Sequence, residues 1–291
     1  MSLTELDHRA VRQGFERAAP DYDAYAVLQH EVESRLLERL EFLRSEPLRV
    51  LDAGCGTGIA CAQLAGRFPQ ADIVGLDWSA GMLGQLRRRG AGTLAVCADM
   101  HQLPLASASM DLVFSNLAVQ WSDHLQELLL GFRRVLKPGG MLLFSTFGPD
   151  TLQELRSAWA TVDGYAHVNR FPDMHDIGDG LVAAGFNEPV MDVDRLTLEY
   201  RDVTSLMREL KLIGARNAAT DRRPGLTGKR AFAQVLEAYE QFRRGDVYPA
   251  TYEIVYGAAF GPREGQPLRS EQGEEATFSV EALKSARRRS R

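Results

Sequence analysis

The stretch Val50-Leu51-Asp52-Ala53-Gly54-Cys55-Gly56-Thr57-Gly58 constrains the fold of this 291-residue chain more than any other. Residues 48–51 are predicted as a short buried strand, and the glycines then turn the chain into a helix that starts near Ile59. Glycine lets the backbone approach a ligand closely, because it has no Cβ. The following helix offers free N–H groups and the positive end of its dipole. The pattern therefore indicates a site for a nucleoside that carries a charged tail.

Two further predicted strands end in acids. Residues 73–76 lead into Asp77, and residues 93–98 lead into Asp99. Asp77 lies about 20 residues beyond the glycines, where a nucleotide-binding fold places a carboxylate on the ribose hydroxyls. The alternative is a glycine turn with two solvated acids, but the ordered spacing favours a site at one edge of the predicted sheet.

The runs D-A-G-C-G-T-G, G-L-D and A-D resemble those of the class I S-adenosylmethionine-dependent methyltransferases. Their glycine spacing is not the G-x-G-x-x-G of dinucleotide-binding enzymes. The resemblance implies a Rossmann-like α/β fold, with a seven-stranded, mostly parallel sheet, helices on both faces and a helical substrate lid. It implies S-adenosylmethionine as the cofactor, with the glycine loop on the methionine, Asp77 on the ribose and Asp99 on the adenine amine. The cofactor-binding residues that it implies are Asp52, Gly54, Gly56, Gly58, Asp77, Trp78, Asp99, Met100 and Asn116.

Composition is typical of a soluble globular protein, with 45% hydrophobic and 25% charged residues. No apolar run approaches the roughly 18 residues that span a bilayer, and the N-terminus does not resemble a signal peptide. We therefore expect a cytoplasmic protein with no membrane partner. A net charge of −5 argues against a nucleic-acid footprint spread over the whole surface. The three cysteines are interpreted as reduced packing residues, and no motif predicts a metal site.

Periodic patterns place further strands at residues 111–114, 141–147, 190–200 and 251–260. Further helices are predicted at residues 8–19, 29–43, 122–136, 150–162, 173–184, 202–213 and 229–241, with Ser122 and Asp150 as caps of two of them. We divide the chain into a helical lid (1–46), a cofactor-binding core (47–148), substrate-side helices with the final strands (149–262) and a flexible tail (263–291).

Stretches outside the common core carry a second resemblance. These stretches together resemble the malonyl-[acyl-carrier protein] O-methyltransferase family of biotin synthesis. They are residues 15–22 with 28–29, residues 167–171, residues 210–215 and residues 244–252. This resemblance implies methylation of the free carboxylate of a malonyl thioester, held on acyl carrier protein or on CoA, so that fatty-acid synthesis can extend the ester toward a pimelate precursor. A carboxylate is already ionised at pH 7, so no catalytic acid or base is predicted. Catalysis then depends on positioning and on shielding from water.

Two other functions stay compatible with the sequence. One is methylation of another small acceptor, either a quinone-precursor carbon or an aconitate-like carboxylate; a base near the acceptor carbon would favour the quinone precursor. The other is a non-methylating assembly factor of related fold. The intact glycines and strand-end acids indicate cofactor binding, but they do not prove methyl transfer.

Candidate substrate residues are Tyr22 in the lid, Gln120 and Trp121 after the fourth strand, and Arg170. Arg170 is chosen because a guanidinium can hold a carboxylate with two hydrogen bonds, and its alternative is a surface ion pair. A carrier protein of fatty-acid synthesis is acidic, so we expect a basic docking site for it on this protein. We expect that site at Arg222, Arg223, Lys229 and Arg230. The alternatives are a merely solvated surface and a rival cluster at residues 87–89.

Overall fold

The computed structural model describes residues 5–43, 45–90, 92–223, 225, 227–263, 268–270 and 273–275. Its main sheet has seven strands in the order β3-β2-β1-β4-β5-β7-β6. Strands β1 to β5 pair in parallel, whereas β7 is antiparallel to both of its neighbours. This confirms the predicted, mostly parallel sheet. The strands are β1 (Arg49–Ala53), β2 (Asp72–Asp77), β3 (Leu94–Cys97), β4 (Met110–Ser115), β5 (Leu136–Phe147), β6 (Asn187–Tyr200) and β7 (Tyr248–Phe260).

Helices cover both faces of the sheet. Side chains alternate along a strand, so Val50 and Leu51 enter two different apolar cores. One core includes buried residues of α3, α4, α5, α7, α9 and α10, and the other includes buried residues of α6 and α8. The helices are α1 (His8–Ala18), α2 (Tyr22–Tyr25), α3 (Val27–Glu38), α4 (Ile59–Arg67), α5 (Ala80–Arg89), α6 (Leu125–Val135), α7 (Gln153–Ala160), α8 (Met174–Ala183), α9 (Val203–Leu212) and α10 (Lys229–Tyr239).

The N-terminal segment, residues 5–43, is tied to the sheet by polar contacts. Glu16 in α1 accepts hydrogen bonds from Ser79 Oγ at 2.6 Å and from the Gly81 N–H at 3.0 Å, at the start of α5. Asp23 in α2 pairs with Arg89. Residues 22–25 lie between the helices predicted at 8–19 and 29–43 but form a short helix, and Arg89, one residue of the rival basic cluster, has an acidic partner. Sequence patterns could not show either contact, because the partners lie far apart in the chain.

Two predicted helix caps are wrong. Helix α6 begins at Leu125, and the hydroxyl of Ser122 instead contacts His101 Nε2 at 2.7 Å. Helix α7 begins at Gln153, and the carboxylate of Asp150 instead pairs with an arginine of β6 at 2.7 Å. In both cases, a tertiary partner outcompetes the local cap. Asp173 and Asp202 do cap α8 and α9 with their side chains.

Residues 137–140, K-P-G-G, lie between the predicted helix at 122–136 and the predicted strand at 141–147. Instead, β5 begins at Leu136 and includes the turn, and its register against β4 shifts between Met110 and Leu112. Most of the predicted tail, residues 263–291, lies outside the described residues. Within it, Leu268–Ser270 (β8) and Gly273–Glu275 (β9) pair as antiparallel strands, where no structure was predicted. In the part of the chain that is described, no helix combines the length and apolarity needed to cross a membrane.

A glycine of β7 makes room for an aromatic ring of the core. Gly257 pairs with Phe144 across β5 and β7, and a Cβ on Gly257 would lie 2.3 Å from the ring of Phe144. Phe144 is fully buried, so the ring cannot move aside freely. Gly257→Ala should therefore lower the free energy of unfolding by roughly 1–3 kcal/mol, measured by urea denaturation.

The matched control is Gly84→Ala in α5, where an added Cβ meets no atom within 4 Å. This change should leave the unfolding midpoint equal or raise it, because alanine favours a helix over glycine. Equal midpoints for Gly257→Ala and wild type would contradict the packing described here.

Candidate functional site

The carboxyl ends of β1, β2 and β4 border a cavity of about 80 Å³, which we call the nucleoside cavity. Ligands of open α/β sheets bind at this edge, as the sequence predicted. Of the predicted substrate residues, Tyr22 and Trp121 line it. The predicted cofactor residues that line it are Gly54, Gly56, Asp77, Trp78, Met100 and Asn116.

The three glycines of the loop have different roles. All have positive φ, which non-glycine residues rarely adopt. A Cβ on Gly54 would lie 2.3 Å from the Cβ of Ala118, whereas a Cβ on Gly56 would meet nothing within 4 Å. Gly56 therefore leaves space that a ligand can fill. Gly58 lines neither the nucleoside cavity nor the three others found in the described residues; it caps the start of α4.

Asp77 is held by backbone donors at the end of β2. Its Oδ2 accepts the N–H of Gly56 at 3.0 Å, and its Oδ1 accepts the N–H of Ser79 at 2.8 Å. Burial raises the pKa of Asp77 to about 6, although these N–H bonds favour the ionised form. A carboxylate has about four acceptor sites, so Asp77 can still accept bonds from a ribose diol. The geometry fits the role that the sequence predicted.

Asp99 does not line the nucleoside cavity, although its neighbours Ala98 and Met100 do. Its Oδ1 accepts the backbone N–H of His101 at 2.9 Å and contacts the Nδ1 of the same residue at 2.8 Å. The carboxylate thus caps a short 3₁₀ helix. A contact with the adenine amine stays a prediction.

Asp52 lines a second, smaller cavity of about 40 Å³, which we call the acidic cavity. This cavity adjoins the nucleoside cavity, because Tyr22, Gly54, Gly56 and Asn116 line both. Asn116 is fixed in place, since its Nδ2 donates to the Gln29 carbonyl at 3.0 Å and its Oδ1 accepts from a serine hydroxyl at 2.7 Å.

The largest of these cavities, of about 300 Å³, also uses Trp121 as a wall, and we call it the acceptor cavity. Most of the residues that line it are apolar, and they include residues of α7, of α9 and of the irregular segment near Phe171. Phe15 of α1 packs edge-on against Trp121, with ring centroids 5.3 Å apart. Trp121 therefore separates the two cavities at the point where two ligands would meet.

The predicted substrate residues divide between the cavities. Tyr22 lines the nucleoside cavity, and burial with nearby acids raises the pKa of its phenol, which stays a hydrogen-bond donor. Gln120 lines the acceptor cavity and donates to the Leu117 carbonyl at 2.6 Å. Arg170 is exposed and lines a separate recess of about 20 Å³, not the acceptor cavity.

Among the polar residues of the acceptor cavity that the sequence did not indicate are Lys211, Arg216 and His167. Lys211 and Arg216 line it, and neither forms a salt bridge within the described residues. His167 stacks on Trp159 with ring centroids 3.7 Å apart and contacts Asp163 at 2.8 Å. Residues 167–171 and 210–215 carried the family resemblance, so that resemblance was the one signal that could have directed attention to His167 and Lys211.

The predicted carrier-docking cluster is partly occupied by internal ion pairs. Arg222 pairs with Asp7 at 2.8 Å, which lowers the pKa of the Asp7 carboxyl, and Arg223 lies 3.4 Å from Asp163. Lys229 and Arg230 are exposed at the start of α10. Two of the four cations thus remain available to a partner. In the described parts of the chain, no group of three or more potential ligands is arranged to hold a metal ion.

The sheet order, the glycine loop and the adjoining cavities define a class I methyltransferase, and a family model described as "Methyltransferase domain" matches residues 51–144. A putative methyltransferase from Bacillus halodurans C-125 shares the fold, with a TM-score of 0.57 at 18% identity over 79% of this chain and 98% of that one.

Much closer relatives share almost the whole chain. A malonyl-[acyl-carrier protein] O-methyltransferase of Gallionella capsiferriformans is 53% identical over 88% of this chain and 92% of its own. Malonyl-[acyl-carrier protein] O-methyltransferase 1 of Coxiella burnetii is 45% identical over 96% of both chains. The chain belongs to the malonyl-[acyl-carrier protein] O-methyltransferase family, and its cofactor is S-adenosylmethionine. These relatives do not support a quinone precursor, aconitate or an assembly role.

Removal of the Asp77 carboxylate should weaken cofactor binding. Asp77→Ala deletes an acceptor for the ribose hydroxyls and frees the Gly56 N–H. Calorimetric titration with S-adenosylmethionine should show a loss of roughly 1.5–3 kcal/mol. Asp72→Ala, at the exposed opposite end of β2, should bind like wild type. Wild-type affinity in Asp77→Ala would remove this residue from the site.

Proposed function

We propose that this protein methylates the free carboxylate of malonyl-[acyl-carrier protein] and so begins the synthesis of a pimeloyl precursor of biotin. The observation that carries the proposal is the shared wall at Trp121, with a nucleoside cavity on one side and a larger acceptor cavity on the other. The names of relatives that are about 50% identical support this acceptor. The cytoplasmic location expected from the sequence belongs to the same proposal.

The residues around Trp121 suit this chemistry. S-adenosylmethionine, when bound, supplies a methyl group on a positively charged sulfur. The acceptor carboxylate is already ionised at neutral pH, so the protein needs no base there. The apolar lining of the acceptor cavity excludes water, and the amide of Gln120 can orient the substrate there, while Tyr22 lines the nucleoside cavity on the other side of Trp121. Orientation and exclusion of water are the contributions that such a transfer requires.

Lys211 and Arg216 of the acceptor cavity suit the phosphopantetheine arm that carries the malonyl group. Lys211 and Arg216 are exposed while they line the cavity, so they lie where a ligand enters from solvent. A phosphopantetheine arm carries a phosphate group, and this arm is common to the carrier protein and CoA. We assign the phosphate to Lys211 and Arg216, and the surface of the acidic carrier to Lys229 and Arg230.

Transfer assays with different acceptors test the function. Purified protein is incubated with methyl-labelled S-adenosylmethionine and malonyl-carrier, malonyl-CoA, acetyl-carrier or no acceptor. Label should appear as a methyl ester on malonyl-carrier and not on acetyl-carrier, which has no free carboxylate. Equal labelling of the malonyl and acetyl forms, or no labelling of either, would contradict the proposal.

Two double variants separate the arm from the carrier surface. Lys211→Gln with Arg216→Gln should raise KM for both malonyl-carrier and malonyl-CoA, because both acceptors carry the arm. Lys229→Glu with Arg230→Glu should raise KM for malonyl-carrier alone, and the effect should shrink as salt screens exposed charges. The two assignments fail if each double variant keeps the wild-type KM for both acceptors at low salt.

A further inference from the structure

The acidic cavity contains two buried carboxylates. Glu33 of α3 is 8% exposed and Asp52 of β1 is 1% exposed, and both line this cavity. Neither forms a salt bridge within the described residues, and no lysine or arginine lines the cavity. A buried charge is costly unless a partner neutralises it, so this arrangement favours a positively charged ligand.

The partners of these carboxylates are weak or neutral. Glu33 Oε1 accepts from Gln63 Nε2 at 3.1 Å, and Asp52 Oδ2 accepts from the thiol of Cys61 at 3.1 Å. Burial, with the charge of Asp52, raises the pKa of Glu33 to about 8, and burial raises the pKa of Asp52 to about 7. The carboxylates are thus costly to ionise in the free protein, and a bound cation would offset this cost.

The acidic cavity also contains a ring nitrogen that has no hydrogen-bond partner. His30 lines the cavity, and its Nε2 is buried without a hydrogen bond. Burial lowers the pKa of His30, which favours the neutral ring, and a neutral imidazole nitrogen can accept a hydrogen bond. An ammonium group has three donors and no acceptor, so Glu33, Asp52 and His30 match its requirements.

We propose that Glu33 binds the α-ammonium group of the methionine part of S-adenosylmethionine, within the acidic cavity. The cavity adjoins the nucleoside cavity through Gly54 and Gly56, so one ligand can enter both. Asp52 and His30 complete the pocket for the ammonium. This inference rests on the cofactor alone and does not depend on the identity of the methyl acceptor.

Binding of the ammonium should release protons. Near pH 7, Glu33 is mostly protonated in the free protein, and a bound cation favours its ionised form. Affinity should therefore rise as pH increases from about 6 to 7, below the pKa of roughly 7.7–8.0 at which the ligand's own α-ammonium group loses its proton. Several other groups share the electrostatic environment of Glu33 and contribute to the pH dependence. They are Asp52, Asp23 and Arg89, which act on its charge, and Tyr22, His30 and Cys55, which line the cavity.

The test is calorimetric titration of the full chain with S-adenosylmethionine at pH 7, in buffers of different ionisation enthalpy. Wild type should release protons on binding. Glu33→Gln should release fewer protons and bind about 10-fold weaker or worse, because a hydrogen bond to a charged group is lost. Glu38→Gln, an exposed position on the same helix, should match wild type in both measurements.

Two further ligands identify the group that Glu33 contacts. S-adenosylhomocysteine keeps the ammonium but lacks the sulfonium charge, so Glu33→Gln should weaken its binding as well. 5′-Methylthioadenosine lacks the amino-acid part, so its affinity should not change. Equal weakening of all three ligands would indicate distortion of the site and overturn the proposal, as would a loss confined to S-adenosylmethionine. Wild-type affinity and proton release in Glu33→Gln would overturn it too. If Glu33→Gln does not fold, Glu33→Asp is titrated in its place, and an intermediate loss is expected.

Discussion

The hydrogen bonds between the Asp77 carboxylate and two backbone N–H groups fix the geometry on which the site depends. They join the glycine loop at Gly56 to the start of α5 at Ser79, while the N–H groups of Gly54 and Cys55 donate to the Leu76 carbonyl at 2.8 and 3.0 Å. The loop after β1 is therefore held against the end of β2. This placement leaves open space at Gly56 and positions the start of α4. Asp77 therefore contributes to the shape of the loop and of the cavity, and it is also the proposed contact for the ligand.

The N-terminal segment closes this site from the other side. Asp23 accepts from the Thr57 hydroxyl at 2.6 Å, which connects α2 to the glycine loop. Phe15 packs on Trp121, Tyr22 lines the nucleoside cavity, and Glu33 lines the acidic cavity. Each cavity next to the cofactor loop thus has a wall from residues 5–43. The segment that the sequence predicted as a lid therefore lines these cavities.

The sheet and the glycine loop could be predicted from the sequence, because strand ends and glycine spacing are local patterns. Asp77 and the glycines were predicted together because parallel strands bring their carboxyl ends to one edge of the sheet, and Gly54, Gly56 and Asp77 do line one cavity there. Glu33 was not singled out because an acid within an amphipathic helix resembles a surface residue, and its partner Gln63 lies 30 residues away in α4. Arg170 was chosen by residue type and neighbours, but backbone direction decides which cavity a side chain lines. The caps expected at Ser122 and Asp150 failed for a similar reason, since distant partners compete with local ones.

A crystal structure with S-adenosylhomocysteine would test this assignment of the site most directly, because each part of the ligand should contact a different wall. The ribose hydroxyls should lie on Asp77, the sulfur should face Trp121 from the nucleoside cavity, and the amino-acid part should pass Gly56 toward Glu33. This assignment would be contradicted by a ribose that lies away from Asp77. It would also be contradicted by a sulfur that does not face Trp121.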